Sequence, residues 1–87
     1  MIEHFKNDES NYAVWLEKNK MGYVFNYFGS ESNNKLHHAQ CGHLYRAKDV
    51  GSRTTLDKFC SDNYYELEAK ISGLCDTKWS KCGACFK

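Results

Sequence analysis

The run Cys82-Gly83-Ala84-Cys85 constrains this chain more than any other stretch. A C-x-x-C turn with Gly between its cysteines lets two thiolates aim at one point. Upstream, across a gap of forty residues, His37-His38-Ala39-Gln40-Cys41 holds a second pair of the same kind. Written as His37-x3-Cys41 and Cys82-x2-Cys85, the set offers one imidazole and three thiolates, which is a donor set of structural zinc. Soft thiolates select Zn over Mg or Ca, and four protein ligands leave no position for a catalytic water. Three residues remain open as replacements. His38 neighbours His37 but faces the opposite way in a strand; Cys41-Gly42-His43 can chelate as a tight pair; Cys60, beside Phe59, reads as a buried small hydrophobe or a reserve ligand.

The length agrees with a stapled fold. A chain of 87 residues has room for one domain, spanning 1–87, and buries too little apolar surface to be generous with stability, so a metal staple is physically reasonable. The absence of Pro, with only six Gly, argues against a linker or disordered tail. Five cysteines are an odd number, which fits reduced or metal-bound thiolates better than a closed disulfide framework. No apolar run approaches the ~18 residues of a membrane span. The start, Met1-Ile2-Glu3-His4-Phe5-Lys6, lacks the basic and apolar regions of a secretion signal, so the expected location is cytoplasmic.

Local patterns predict an α+β fold: a small three-stranded antiparallel sheet, two helices and a C-terminal zinc knuckle. Asp8 or Ser10 caps a first helix running to Asn19 or Lys20, with Ala13, Leu16 and Lys20 along one side and Tyr12 and Trp15 beside them. The aromatic run Gly22 to Phe28 reads as a central strand, Lys35 to His38 as its hairpin partner, and residues 53–60 as containing a third strand. Ser61 or Asp62 caps a second helix carrying Tyr64, Leu67, Ile71 and Leu74, with Gly73 at its end. From Cys75 to Lys81 the chain reads as loop, with Cys75 a free thiol in it.

At these residues the chain resembles the N-terminal zinc module of the Ada-type DNA repair proteins. The likeness covers about residues 23–87 and rests on order: an aromatic strand, a ligand-x3-Cys pair, a strand, a helix ending at Gly, then Cys-x2-Cys. More loosely it is similar to a bacterial module with a Trp-bearing helix (Trp15), Gly22 to Asn26, Leu36 to Cys41, Lys58 to Cys60, and Cys82 to Cys85. The resemblance favours His37 over His38 as the ligand. It also implies a departure: the Ada-like domain binds zinc through four cysteines, and the first accepts a methyl group from damaged DNA phosphate. His37 stands at that position here, and imidazole does not replace a zinc-activated thiolate as nucleophile. The reading is therefore a non-enzymatic module.

Charge points to a partner. The total is only +1, yet residues 35–58 and 78–87 each carry a net +3 and hold the proposed ligands, whereas the other segments are acidic. A metal that draws the two basic segments together makes a face that meets phosphate, with Arg46, Lys48, Arg53, Lys78 and Lys81 as the expected contacts to DNA or RNA. The competing reading is a protein-interaction or purely structural module in which exposed Trp79 and Tyr45 matter more than the cations. A redox dithiol is disfavoured because no helix follows Cys82 to lower its pKa.

Overall fold

The computed structural model describes residues 1–29, 34–45 and 50–86. Its elements are β1 (Glu3–Phe5), α1 (Glu9–Lys18), β2 (Tyr23–Tyr27), β3 (Lys35–His38), a single 3-10 turn (Gly42–Leu44), β4 (Asp57–Ser61), α2 (Tyr64–Cys75) and β5 (Ser80–Lys81). The fold is α+β, but the sheet has five strands in the order β1-β4-β2-β3-β5. It is also mixed: β3 and β5 run parallel, and the other three pairings are antiparallel. The expected three antiparallel strands form its centre. The two additions are edge strands of three and two residues, too short to show a side-chain period of their own.

Alternation along the central strands divides the core between two faces. Phe25 lies opposite Leu36 on β3 and Phe59 on β4, and residues opposite one another share a face. This row packs with Leu67 and Ile71 of α2, and with the half-buried rings of Tyr27 and Trp79. One residue earlier, Val24 lies opposite His37 and Cys60, and this row looks the other way, toward Tyr12, Trp15 and Leu16 of α1 and toward Cys41 and Cys82. The sheet is thus covered by α2 on one side and by α1 with the His/Cys pairs on the other. Close approach is needed where α1 meets β2: a Cβ on Gly22 would lie 2.9 Å from the Trp15 ring and 3.0 Å from the Ser61 carbonyl oxygen.

Both helices begin on side-chain caps. Asp8 accepts from the Asn11 amide, and Asn63 rather than Ser61 or Asp62 accepts from the Glu66 amide. α2 runs through Gly73, whose absent side chain faces open space, and ends after Cys75, where Asp76 takes a positive φ of 55°. Cys75 is therefore not a loop thiol. It is buried in the last helical turn, with Sγ 3.5 Å from the Ile71 carbonyl oxygen.

The start of α1 is tied to the segment before β4 through one carboxylate. Glu9 accepts the Arg53 amide at 2.8 Å and both the amide and the hydroxyl of fully buried Thr54. Thr54 Oγ1 in turn accepts the Asp8 amide at 2.8 Å. Partial burial pushes the Glu9 pKa up, but the three hydrogen bonds and the Arg53 charge together hold it below the ordinary glutamate value. A carboxylate with a depressed folded pKa stabilises the fold above its unfolded pKa of about 4.3 and loses that contribution as pH falls through the folded value. Glu9→Gln is accordingly expected to lower the urea midpoint at pH 7, with the gap to the parent closing below about pH 4. A gap independent of pH would contradict this role.

Candidate metal centre

His37, Cys41, Cys82 and Cys85 come from two places in the fold. His37 sits on the face of β3 that looks toward α1, and Cys41 follows three residues beyond the strand end, where it precedes the 3-10 turn. Cys82 directly follows β5. Its amide donates to the Leu36 carbonyl at 2.9 Å, so the short parallel pairing with β3 is what delivers the C-x-x-C turn beside His37. The amide of Phe86 closes the turn on the Cys82 carbonyl at 3.0 Å.

One ligand atom from each of the four residues lies within 4.8 Å of the others. The Cys41 and Cys82 sulfurs are 3.9 Å apart. In a tetrahedron with metal–sulfur bonds of about 2.3 Å the sulfur–sulfur edges are about 3.8 Å. The donor set and spacing therefore fit a four-coordinate metal ion. None of the five cysteines forms a disulfide. His37, Cys41 and Cys82 are buried, and Cys85 is half-buried.

The surroundings orient these ligands. His37 Nε2 lies 3.2 Å from Asn26 Nδ2, while Asn26 Oδ1 accepts from the Lys58 ammonium; the amide is held at both ends and limits rotation of the ring. The His38 amide donates to Cys85 Sγ at 3.4 Å. Burial pushes both knuckle thiols up. At Cys82 the Ala84 and Cys85 amides and the Cys41 thiol overcome that effect and hold the pKa below the ordinary cysteine value. At Cys85 burial wins, helped by its two cysteine neighbours, and the thiol is pushed up to about 12. Several thiols crowded at one buried point repel one another as thiolates, and a bound cation reverses that penalty.

The three alternatives are placed apart from this set or beside it. The His38 ring turns away and stacks on Phe86 with centroids 4.1 Å apart. Cys60 is fully buried in the core under α1, where burial pushes its thiol well up, and it is outside the cluster. His43 is nearest: its Nδ1 lies 3.5 Å from Cys82 Sγ, and its ring stands edge-on to His37 at 6.3 Å. It is placed to hydrogen-bond the Cys82 sulfur, a position that sequence spacing alone did not distinguish from ligation.

The expected nucleic-acid contacts are more scattered. Arg46 and Lys48 lie outside the described residues. Arg53 is half-buried, 5.7 Å from the Tyr45 ring. Lys78 and Lys81 are exposed next to the knuckle, with the Lys81 ammonium 5.3 Å from the Tyr64 ring and 5.5 Å from the Phe86 ring. Trp79, expected to be exposed, packs edge-on against Phe25 at 6.3 Å. The Tyr45 hydroxyl donates to the Ala39 carbonyl at 2.9 Å. No helix among the described residues is long and apolar enough to cross a membrane.

Comparison of the chain with protein-family models, with curated proteins and with solved structures produced no match.

Proposed function

We propose that the chain is a zinc-stabilised, non-catalytic module whose metal centre, formed by His37, Cys41, Cys82 and Cys85, holds a basic surface in shape for nucleic acid. The observation that carries this reading is the convergence of one imidazole and three thiols to within 4.8 Å, from two segments far apart in sequence. Zinc is the metal because thiolate-rich tetrahedral sets favour it over the hard cations. A structural rather than catalytic role follows from the ligand count, since four protein donors close the coordination shell. The order of a central aromatic strand, a ligand pair, a strand, a helix and a C-x-x-C turn supports kinship with the Ada-type zinc module. With His37 at the place of the methyl-accepting cysteine, methyl transfer is not part of the proposal.

For the partner, the support is local. Lys78 lies two residues before the strand that leads into the knuckle and Lys81 is that strand's last residue, and the Tyr64 and Phe86 rings lie beneath the Lys81 ammonium. Ammonium groups beside aromatic faces are suited to a single-stranded nucleic-acid backbone with its bases stacked alongside. A labelled single-stranded oligonucleotide followed by fluorescence anisotropy is the test. Binding should weaken as salt rises, and Lys78→Gln combined with Lys81→Gln should reduce the magnitude of the log–log slope by about 1.4 for two lost phosphate contacts. Absence of binding at low salt, or binding indifferent to salt, would remove nucleic acid from the proposal and leave the zinc module.

A further inference from the structure

A second site lies on the same face of the sheet as the metal centre. Asn26 on β2 is the register partner of Lys35 on β3 and of Lys58 on β4, so the three residues form one row across adjacent strands. Neighbouring strands are about 4.8 Å apart and opposed side chains share a face, which sets two ammonium groups on either side of one amide. Lys35 is two residues before His37 along β3 and therefore points the same way. Arg53, from the segment before β4, faces the same space. Together with His43 and Phe28 these residues line a cleft of about 540 Å³.

Among the described residues the lining carries one sign of charge. Three permanent cations enter the cleft from three different segments, and among the described residues no carboxylate lines it. The Lys35 ammonium donates to the Ser80 hydroxyl at 2.7 Å; Arg53 Nε is buried without a hydrogen-bond partner among the described residues, and the Arg53 charge also acts on the Glu9 carboxylate. One wall is different. Phe28 is 40% exposed and Leu56 is 45% exposed, offering a flat ring and an aliphatic edge next to the cations. The volume falls within the range of small-ligand clefts, about 300–1,000 Å³.

We infer that this cleft binds the phosphate group of a nucleotide, with Lys35, Lys58 and Arg53 on the phosphate oxygens and the base against Phe28. A tetrahedral phosphate, dianionic as a terminal monoester and monoanionic within a strand, presents its oxygens to three convergent donors better than a planar carboxylate does. The nucleotide is either free or one unit of a single strand; the latter source rests on the nucleic-acid reading above, whereas the phosphate chemistry does not. The cleft is distinct from the Lys78 and Lys81 surface, which makes the two separable.

The test is a titration of the full chain with AMP and, separately, with a single-stranded oligonucleotide, followed by amide chemical shifts. AMP should shift the amides of Asn26, Lys35 and Lys58. Lys35→Glu should weaken AMP binding by at least about tenfold through loss of a charge-assisted contact and gain of a repulsive one. The milder Lys35→Gln should weaken it less, and Lys78→Gln with Lys81→Gln should leave it unchanged. An oligonucleotide that shifts the same amides identifies nucleic acid as the source of the phosphate, and a response to AMP alone identifies a free nucleotide. If neither ligand moves these amides, or if folded Lys35→Glu binds AMP as the parent does, the inference is wrong. Loss of oligonucleotide binding in the Lys78/Lys81 variant with AMP still seated in the cleft would support both surfaces independently.

Discussion

Stripping the metal with a strong chelator is expected to unfold the protein, with loss of sheet signal and of near-ultraviolet aromatic ellipticity in a single transition. Without a bridge at the site, the C-terminal segment is held by short pairing and a few side-chain contacts. β5 has only two residues, both exposed, so the segment relies on the Cys82 amide on Leu36, the Asn34 contacts to Lys78 and Ser80, Trp79 against Phe25 and Phe86 against His38. The crowded sulfurs beneath it would then be buried groups without a cation. Structural zinc supplies about 10–16 kcal/mol of apparent binding free energy at neutral pH, which equals or exceeds the net stability of about 5–15 kcal/mol typical of a folded domain. Readdition of zinc should restore both signals. Acidification should act in the same direction, because protons compete with the metal for sulfur and imidazole.

Asn34→Ala is expected to be the most damaging single substitution outside the ligands. Asn34 is fully buried, and its side chain accepts the Phe28 amide at 2.5 Å while donating to the Gly29 carbonyl at 2.7 Å and to the Lys78 carbonyl at 3.0 Å. Its own carbonyl accepts the Ser80 amide at 3.0 Å. One side chain thus joins the end of β2, the entry to β3 and the chain just before β5. Truncation leaves three backbone groups without their partner, at about 1–3 kcal/mol for each one left buried, so a total loss of roughly 3–5 kcal/mol is expected. Because the Lys78 contact anchors β5, zinc affinity should fall with stability. Equilibrium unfolding in urea at fixed zinc measures the first, and competition with a chromophoric chelator measures the second. A loss below about 1 kcal/mol would show that this side chain does not organise the C-terminal segment.

The elements with local signals were legible in the sequence. Asp8 before Tyr12, Trp15 and Leu16 marks α1, and the aromatic run at 22–28 marks the central strand β2. Period-two alternation separates His37 from His38, and the structure puts the first beside Cys41, Cys82 and Cys85 and the second on Phe86. β1 and β5 were not legible, since each is held by backbone pairing at a sheet edge with few buried side chains to leave a pattern. Gly73 misplaced the end of α2: a helix tolerates glycine on an open face, and the positive φ that ends it falls on Asp76. The phosphate cleft was hidden for a topological reason. The β2–β3 hairpin pairs Lys35 with Asn26, but Lys58 joins them only because β4 lies beside β2, and sequence spacing does not reveal strand order. Charge segregation by segment grouped Arg53 with Lys78 and Lys81, although Arg53 belongs to the cleft and the two lysines to the knuckle.

The account turns on the metal, and metal content read directly from the intact protein is its sharpest test. Native mass spectrometry of the purified chain should show one zinc ion bound per molecule, with the mass deficit expected for deprotonated thiols. Cys82→Ser should lose the ion and the folded spectrum with it, whereas Cys60→Ser, altering a buried thiol outside the cluster, should keep the metal even if it costs stability. A chain that purifies without metal, takes none up when zinc is offered, and remains folded as Cys82→Ser would contradict the account at its centre.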